Sequence, residues 1–263
     1  MSDLQVMILC GGKGTRLGEV TGNLVPKPMA RIGDHPILWH IMNSYAAAGY
    51  RRFIICVGHL GWHIKEYFLN HQWRTADLTI RTGSDPAVVA HPREQIQDWE
   101  ITIVETGEET NTAGRVMRAS RYLDGDRFML TYGDGVSNVD LRALERFHLA
   151  HGKAATMTCV VPPGRFGELS LDGNRVLAMA EKPLISDRFI NGGFMVLERR
   201  FVEAFIGPDS DGIMLEREPM AQASAKGELM AFRHSDFWQC MDTARDWELL
   251  NQLWRSGQAP WRT

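Results

Sequence analysis

Two short, mostly apolar runs each end in glycines: Gln5-Val6-Met7-Ile8-Leu9 before Gly11-Gly12, and Arg127-Phe128-Met129-Leu130-Thr131 before Gly133-Asp134-Gly135. A near-continuous apolar run of this length reads as a parallel strand buried on both faces. Phe53 to Val57, stopped by Gly58, and Ile101 to Val104 read the same way, as does Thr156 to Val161. Helical spacing separates them: a helix opened by Pro36 through Met42, then Trp62 to Phe68, Arg115 to Tyr122 and Leu141 to His151. Proline in a first helical turn loses no needed hydrogen bond. Strand and helix in alternation predict an α/β fold with a doubly wound, mostly parallel sheet. Right-handed crossovers put the carboxyl ends of such strands on one edge, where ligands bind. Both glycine segments fall on that edge.

The pattern changes after Pro163. Short strands at Glu168 to Leu171, Val176 to Ala180 and Phe194 to Leu197 predict a small antiparallel region that completes a pocket. A helix near Glu216 to Ala225, a strand near Leu229 to Phe232 and a helix from Thr243 to Trp254 finish the chain. Ser84 to Glu100 has two prolines and mixed polarity and reads as a loop or an excursion.

At 263 residues with 44% apolar content, the chain suits one large α/β domain, or one domain with a modest appendage, around a substantial core. Its formal charge of −3, from 29 basic and 32 acidic residues, supplies no global field to hold nucleic acid. An anionic substrate would need local positive groups. No secretory signal is read at the N-terminus, and the longest apolar runs fall short of the ~20 residues of a membrane span. Cys10, Cys56, Cys159 and Cys240 lack CxxC spacing. They read as free thiols of a cytoplasmic protein.

The first loop, Cys10-Gly11-Gly12-Lys13-Gly14-Thr15-Arg16-Leu17-Gly18, follows a strand, so its backbone N–H groups can turn toward an anion. Arg16 offers a planar, permanently charged clamp. No GxxxxGK[ST] string occurs, and Gly12, Gly14 and Gly18 are spaced one residue too widely for a dinucleotide fingerprint. Lys27 lies between Pro26 and Pro28, a setting that stiffens its backbone. Asp134 ends a predicted central strand at the ligand edge, where a carboxylate can serve Mg²⁺ or simply form a turn. Asp242 directly precedes a predicted helix and reads locally as an N-cap or as a ligand. Asn191-Gly192-Gly193 reads as a tight bend.

Together, Gly11-Gly12-Lys13-Gly14-Thr15-Arg16-Leu17 and Pro26-Lys27-Pro28-Met29 resemble the opening of the sugar-phosphate nucleotidyltransferase family. Further stretches resemble its glucose-1-phosphate cytidylyltransferases in order and approximate spacing. These are Pro36 to Ile41, Thr131 to Val136, Pro162 to Gly167, Glu181-Lys182-Pro183, Ile190 to Phe194 and Phe237 to Thr243.

That resemblance implies transfer of a cytidylyl group from CTP to α-D-glucose 1-phosphate, giving CDP-glucose and pyrophosphate. It implies Mg²⁺ held by Asp134 and Asp242, and Arg16, Lys27 and Lys182 as the catalytic cations. Nucleotide contacts are implied at Gly11, Gly12, Gly14, Thr15, Arg16, Lys27, Thr112, Gly114 and Arg115, with Arg115 a candidate donor to the base. Sugar-phosphate contacts are implied at Gly167, Glu181, Lys182 and Asn191. A homo-oligomer is implied, as is one domain, with residues 1–150 as its nucleotide half and 151–263 as its sugar-phosphate half. The chain departs from the resemblance at Val25, where a lysine is expected, at His59 for a tyrosine, and at Cys240 for a proline. A different base, another phosphorylated acceptor or a non-catalytic binding subunit remain open alternatives.

Overall fold

The computed structural model of the chain describes residues 4–92, 97–162, 168–172, 175–180 and 189–262. Seven strands form the central sheet: β1 (Gln5–Leu9), β2 (Arg52–Val57), β3 (Glu100–Glu105), β4 (Arg127–Tyr132), β5 (Ala155–Val160), β6 (Ile190–Glu198) and β7 (Leu229–His234). Their spatial order is β7-β5-β6-β4-β1-β2-β3. β1 pairs in parallel with both β2 and β4, and β2 with β3. β6 alone runs against its neighbours β4 and β5, while β5 and β7 are parallel.

All five residues of β1 are buried, as a central strand covered on both faces requires. Alternation along the strand divides them. Val6 and Ile8 join Phe53 and Ile55 on one face, beneath helices α1 (Ile37–Ala47), α4 (Leu141–His151) and α7 (Ala244–Arg255). Met7 and Leu9 join Ile54 and Cys56 on the other, beneath α3 (Thr112–Ala119), α5 (Arg199–Phe205) and α6 (Glu218–Ala225). The sheet is therefore doubly wound. Burying one such Leu, Ile or Met contributes about 1.5–3 kcal/mol, so a charge at Ile8 would disrupt the sheet at its centre.

α1 buries Ile37, Leu38, Ile41, Met42 and Tyr45, the spacing of a helix laid on a sheet. The short helix α2 (Trp62–Leu69) crosses from β2 toward β3 and buries Ile64 and Tyr67. Two details differ from the sequence reading. The strand expected at Phe194 to Leu197 extends over Ile190–Glu198 and enters the main sheet between β4 and β5. Outside that sheet, Glu168–Asp172 pairs with Arg175–Ala180. The segment read as a loop or excursion contains Ala87–Pro92, paired in a hairpin with Ala76–Arg81, and Ile80 and Val88 on it are exposed. Among the described residues, no helix is long and apolar enough to cross a membrane.

Candidate active site

After β1 the chain builds outward through β2 and β3, and β4 then returns to the opposite side of β1. This reversal opens a crevice beyond the carboxyl ends of β1 and β4, the place where open α/β sheets bind ligands. A cleft of about 280 Å³ lies there, lined by both glycine segments, Arg16, Lys27, Thr112 and Asp134.

Gly14 adopts φ +58°, and a Cβ there would stand 2.8 Å from the Cβ of Lys27. The glycine thus allows the loop to close over the lysine. Thr15–Leu17 and Lys27–Met29 are single 3₁₀ turns that fix Arg16 and Lys27 on the same rim.

A short antiparallel ladder brings the second carboxylate from far along the sequence. Gly135–Ser137 pairs with Trp238–Cys240, with Cys240 opposite Gly135, and Met241 N donates to Asp134 O at 2.8 Å. Asp242 follows immediately. It does not cap α7: Thr243 does, in a capping box with Asp246. The Asp242 carboxylate is therefore free to face the cleft.

Asp134 and Asp242 converge on one point. Lys27 Nζ donates to Asp134 Oδ2 at 2.6 Å and to Asp242 Oδ1 at 2.5 Å, while Arg16 Nη1 stands 3.1 Å from Asp242 Oδ2. Burial opposes the Lys27 charge, but Asp134, the nearby Cys240 and both hydrogen bonds outweigh it and push the ammonium up to about 12. Burial likewise opposes ionisation of Asp242, and Lys27 and Arg16 overcome it, holding that carboxyl below its usual range. Burial and the two carboxylates push the Cys240 thiol up. One oxygen from each carboxylate and the Cys240 sulfur lie within 4.8 Å of one another. Two carboxylates aimed at a single cationic centre suit a hard divalent ion, whose remaining ligands come from phosphate and water.

Arg115 lies under the loops. It is 4% exposed. Its Nη1 donates to Thr106 Oγ1 at 2.7 Å and Gly107 O at 2.8 Å, and its Nη2 to Gly11 O at 2.9 Å and Glu108 O at 3.3 Å. A Cβ on Gly11 would meet Nη1 at 1.9 Å, which explains the glycine there. The guanidinium thus ties together the loops after β1 and β3, and its terminal nitrogens are committed to protein acceptors. The side chain thereby shapes the backbone of the cleft, which it also lines.

A second network spans the cleft. Thr112 Oγ1 donates to Glu216 Oε2 at 2.8 Å, Tyr132 Oη donates to Glu216 Oε1 at 2.6 Å, and Asn191 Nδ2 donates to Tyr132 Oη at 3.0 Å. Asn191 also forms the bend read from its sequence, since its Oδ1 accepts from Gly193 N at 2.9 Å. Glu216 and Tyr132 were not candidates from sequence. Tyr132 lay inside a quoted motif, whereas Glu216 carries no local signal. Gly11, Gly12, Gly14, Arg16, Lys27, Thr112, Arg115 and Asp134 all line the cleft. Thr15 lies on the rim turn, Gly114 in the first turn of α3, and Asp242 and Asn191 reach the cleft through the contacts above. Gly167, Glu181 and Lys182 lie outside the described residues.

The sequence model for nucleotidyl transferase matches residues 5–239. The chain belongs to the nucleotidyl transferase family. Among its relatives, the glucose-1-phosphate cytidylyltransferase of Salmonella typhi is 45% identical over 261 residues, 99% of each chain. A probable glucose-1-phosphate cytidylyltransferase of Bacillus subtilis (strain 168) is 40% identical over 259 residues, 98% of this chain and 99% of that one. Among solved structures, HddC from Yersinia pseudotuberculosis superposes with a TM-score of 0.69 at 21% identity, covering 95% of this chain and 99% of that one. The inositol-1-phosphate CTP transferase from T. maritima gives 0.64 at 19%, covering 95% of each. These structural likenesses establish the fold. In a nucleotidyltransferase, cations and a carboxylate pair at the crevice of the sheet have the chemistry that a triphosphate requires.

Proposed function

We propose that this nucleotidyltransferase transfers the cytidylyl group of CTP to α-D-glucose 1-phosphate, releasing pyrophosphate and CDP-glucose. The observation that carries the reading is the convergence of Asp134 and Asp242 on one cationic point beside the glycine loop. End-to-end identity of 45% with the Salmonella typhi relative supports the choice of base and sugar.

A phosphate oxygen of the sugar phosphate attacks the α-phosphorus of CTP. The new P–O bond forms as the bond to the β-phosphate breaks, and pyrophosphate leaves. The nucleophile is ionised at neutral pH, so no general base is needed, and positioning with charge neutralisation carries the rate. Arg16 and Lys27 bind the triphosphate from the rim. The backbone of Gly11, Gly12, Gly14 and Thr15 receives phosphate and base, with Thr112 and Gly114 closing the base side. Arg115 holds Gly11 and Gly107 in place for that contact. Asn191 faces the sugar from the start of β6, and Gly167, Glu181 and Lys182 are assigned to the sugar phosphate. Asp134 and Asp242 would hold Mg²⁺, which neutralises phosphate charge when bound.

The reading takes residues 1–150 as the nucleotide half and 151–263 as the sugar-phosphate half of one domain, in a cytoplasmic homo-oligomer. Pyrophosphate release with Mg²⁺ and glucose 1-phosphate, compared across CTP, UTP, dTTP, ATP and GTP, tests it. Release with CTP at a rate at least tenfold above the others is the expected result. Release with a different triphosphate retains the mechanism and overturns the base, and release with none overturns the reading.

A further inference from the structure

We infer that Cys240 turns the Asp134–Asp242 pair into a mixed sulfur–oxygen site for a thiophilic divalent cation of the zinc or cadmium class, which idles the enzyme by excluding Mg²⁺. The inference rests on the proposed role of the two carboxylates and adds a ligand to them.

The placement of Cys240 follows from the backbone. It ends the strand Trp238–Cys240, lies opposite Gly135 in the ladder and directly follows Gln239, whose Nε2 donates to Asp246 Oδ1 at 3.0 Å. That bond joins the ladder to the first turn of α7 and fixes both ends of the segment that carries Cys240 and Asp242. The Cys240 sulfur stands close to both carboxylates, so it is turned into the site. With Sγ and one oxygen from each carboxylate inside a 4.8 Å span, three ligand atoms face the point that Lys27 Nζ now occupies. The Asp134 and Asp242 side chains are 29% and 17% exposed, so an ion from solution can reach them, and it binds by displacing the Lys27 ammonium from between them.

Ion chemistry then divides the ligands. Mg²⁺ demands oxygen at ~2.0–2.1 Å in octahedral geometry and keeps several waters, so sulfur is a poor partner for it. Zinc accepts thiolate sulfur at ~2.3 Å and carboxylate oxygen at ~2.0–2.2 Å around a tetrahedron. Bonds of those lengths put tetrahedral ligand atoms about 3.3–3.6 Å apart, a separation that the observed span accommodates with small side-chain rotations. The same two carboxylates thus serve Mg²⁺ through oxygen alone, and a softer ion through oxygen and sulfur together. A tetrahedral ion with three protein ligands keeps one open position, too few for Mg²⁺-like bridging of a triphosphate. On ligation the thiol proton passes to buffer.

The test titrates the full chain with Cd²⁺ in the absence of nucleotide and follows thiolate-to-cadmium charge-transfer absorption in the ultraviolet. One equivalent of band is expected. Cys240→Ser and Cys240→Ala should each abolish it, and Asp242→Asn should raise the Cd²⁺ midpoint at least tenfold, with circular dichroism showing each variant folded. Zn²⁺ inhibition of Mg²⁺-supported turnover should weaken at least tenfold in Cys240→Ser. No band in the parent chain, or an equal band in both Cys240 variants, overturns the inference, the second result assigning the signal to Cys10, Cys56 or Cys159. A band that depends on Cys240 and Asp242 in a protein inactive with every triphosphate supports the metal site while rejecting the proposed reaction. CTP-dependent turnover with no Cys240-dependent band does the reverse.

Discussion

Lys27 holds a full charge at a largely buried position because two carboxylates reach it at hydrogen-bond distance. The signs of the shifts set the pH window of this cluster. Lys27, raised to about 12, contributes stability that is present below its unfolded value near 10.5 and is lost as pH rises through 12. Asp242, held below its ordinary 3.8, contributes stability that is present above that value and is lost on further acidification. The cluster is thus intact across the neutral range. Asp134→Asn should lower pyrophosphate release by about 100-fold or more while leaving the fold unchanged by circular dichroism. Lys27→Met should cost turnover on the same order and leave the two carboxylates with only the exposed Arg16 as a counter-charge. Arg115→Lys replaces a planar fork by a point charge and leaves several buried carbonyls short of a donor. A loss of about 2–4 kcal/mol is expected, read as a lowered urea midpoint together with a raised KM for CTP. Among these residues, Lys27 and Asp134 were legible in the sequence because proline and glycine flank them. Asp242 was ambiguous until Thr243 proved to be the cap. Glu216 was illegible, since its partners Thr112 and Tyr132 meet it only after the sheet has formed.

At the scale of elements, α1 is pinned by a histidine. His40 Nε2 hydrogen-bonds Ile32 O at 2.9 Å, and its ring meets Trp254 of α7 edge-on at 4.5 Å. Nearby, Asn251 of α7 accepts from Gly33 N at 3.0 Å. Burial pushes His40 down to about 4, so the folded chain holds this ring neutral while the unfolded chain protonates it near pH 6.5. The stability it lends is complete above pH ~6.5 and drains away as pH falls toward 4, a loss of about 3 kcal/mol. His148 and His151, also held down by burial, act in the same direction. Urea midpoints measured from pH 7 to pH 4 should fall, and His40→Gln should flatten that decline. The strands that the sequence made legible are those covered on both faces, where apolar residues run without interruption. The hairpin of Ala76–Arg81 and Ala87–Pro92 was not, because neither face is buried enough to impose a pattern: Leu78, Ile80, Val88 and Val89 are all exposed. The length of β6 was hidden because Asn191-Gly192-Gly193 reads as a bend, and the strand does bend there, with Gly193 at φ +74° and Phe194 at φ +46°.

For the molecule as a whole, the cleft lies where the two directions of strand addition meet, so a ligand there touches residues from both ends of the chain. CTP bound at a hundredfold excess over its dissociation constant should add about 2.7 kcal/mol to global stability. For a chain of this size that is a rise of roughly 5–10 °C in Tm, measurable by scanning fluorimetry, with ATP at equal concentration giving less than a third of it. The reversed direction of β6 has a further consequence. β1, β2, β3 and β4 form a contiguous parallel block that uses no residue beyond Tyr132. During synthesis that block emerges with one lateral edge of β4 unsatisfied, and β5, made next, does not pair with it. The edge stays open until Ile190–Glu198 leaves the ribosome and inserts. Because that strand runs backwards, the insertion that seals the edge also delivers Asn191 to the mouth of the cleft. A nascent chain is therefore sticky while it also lacks Asn191, and the site is completed only later, when Trp238–Cys240 pairs with Gly135–Ser137 and brings in Asp242.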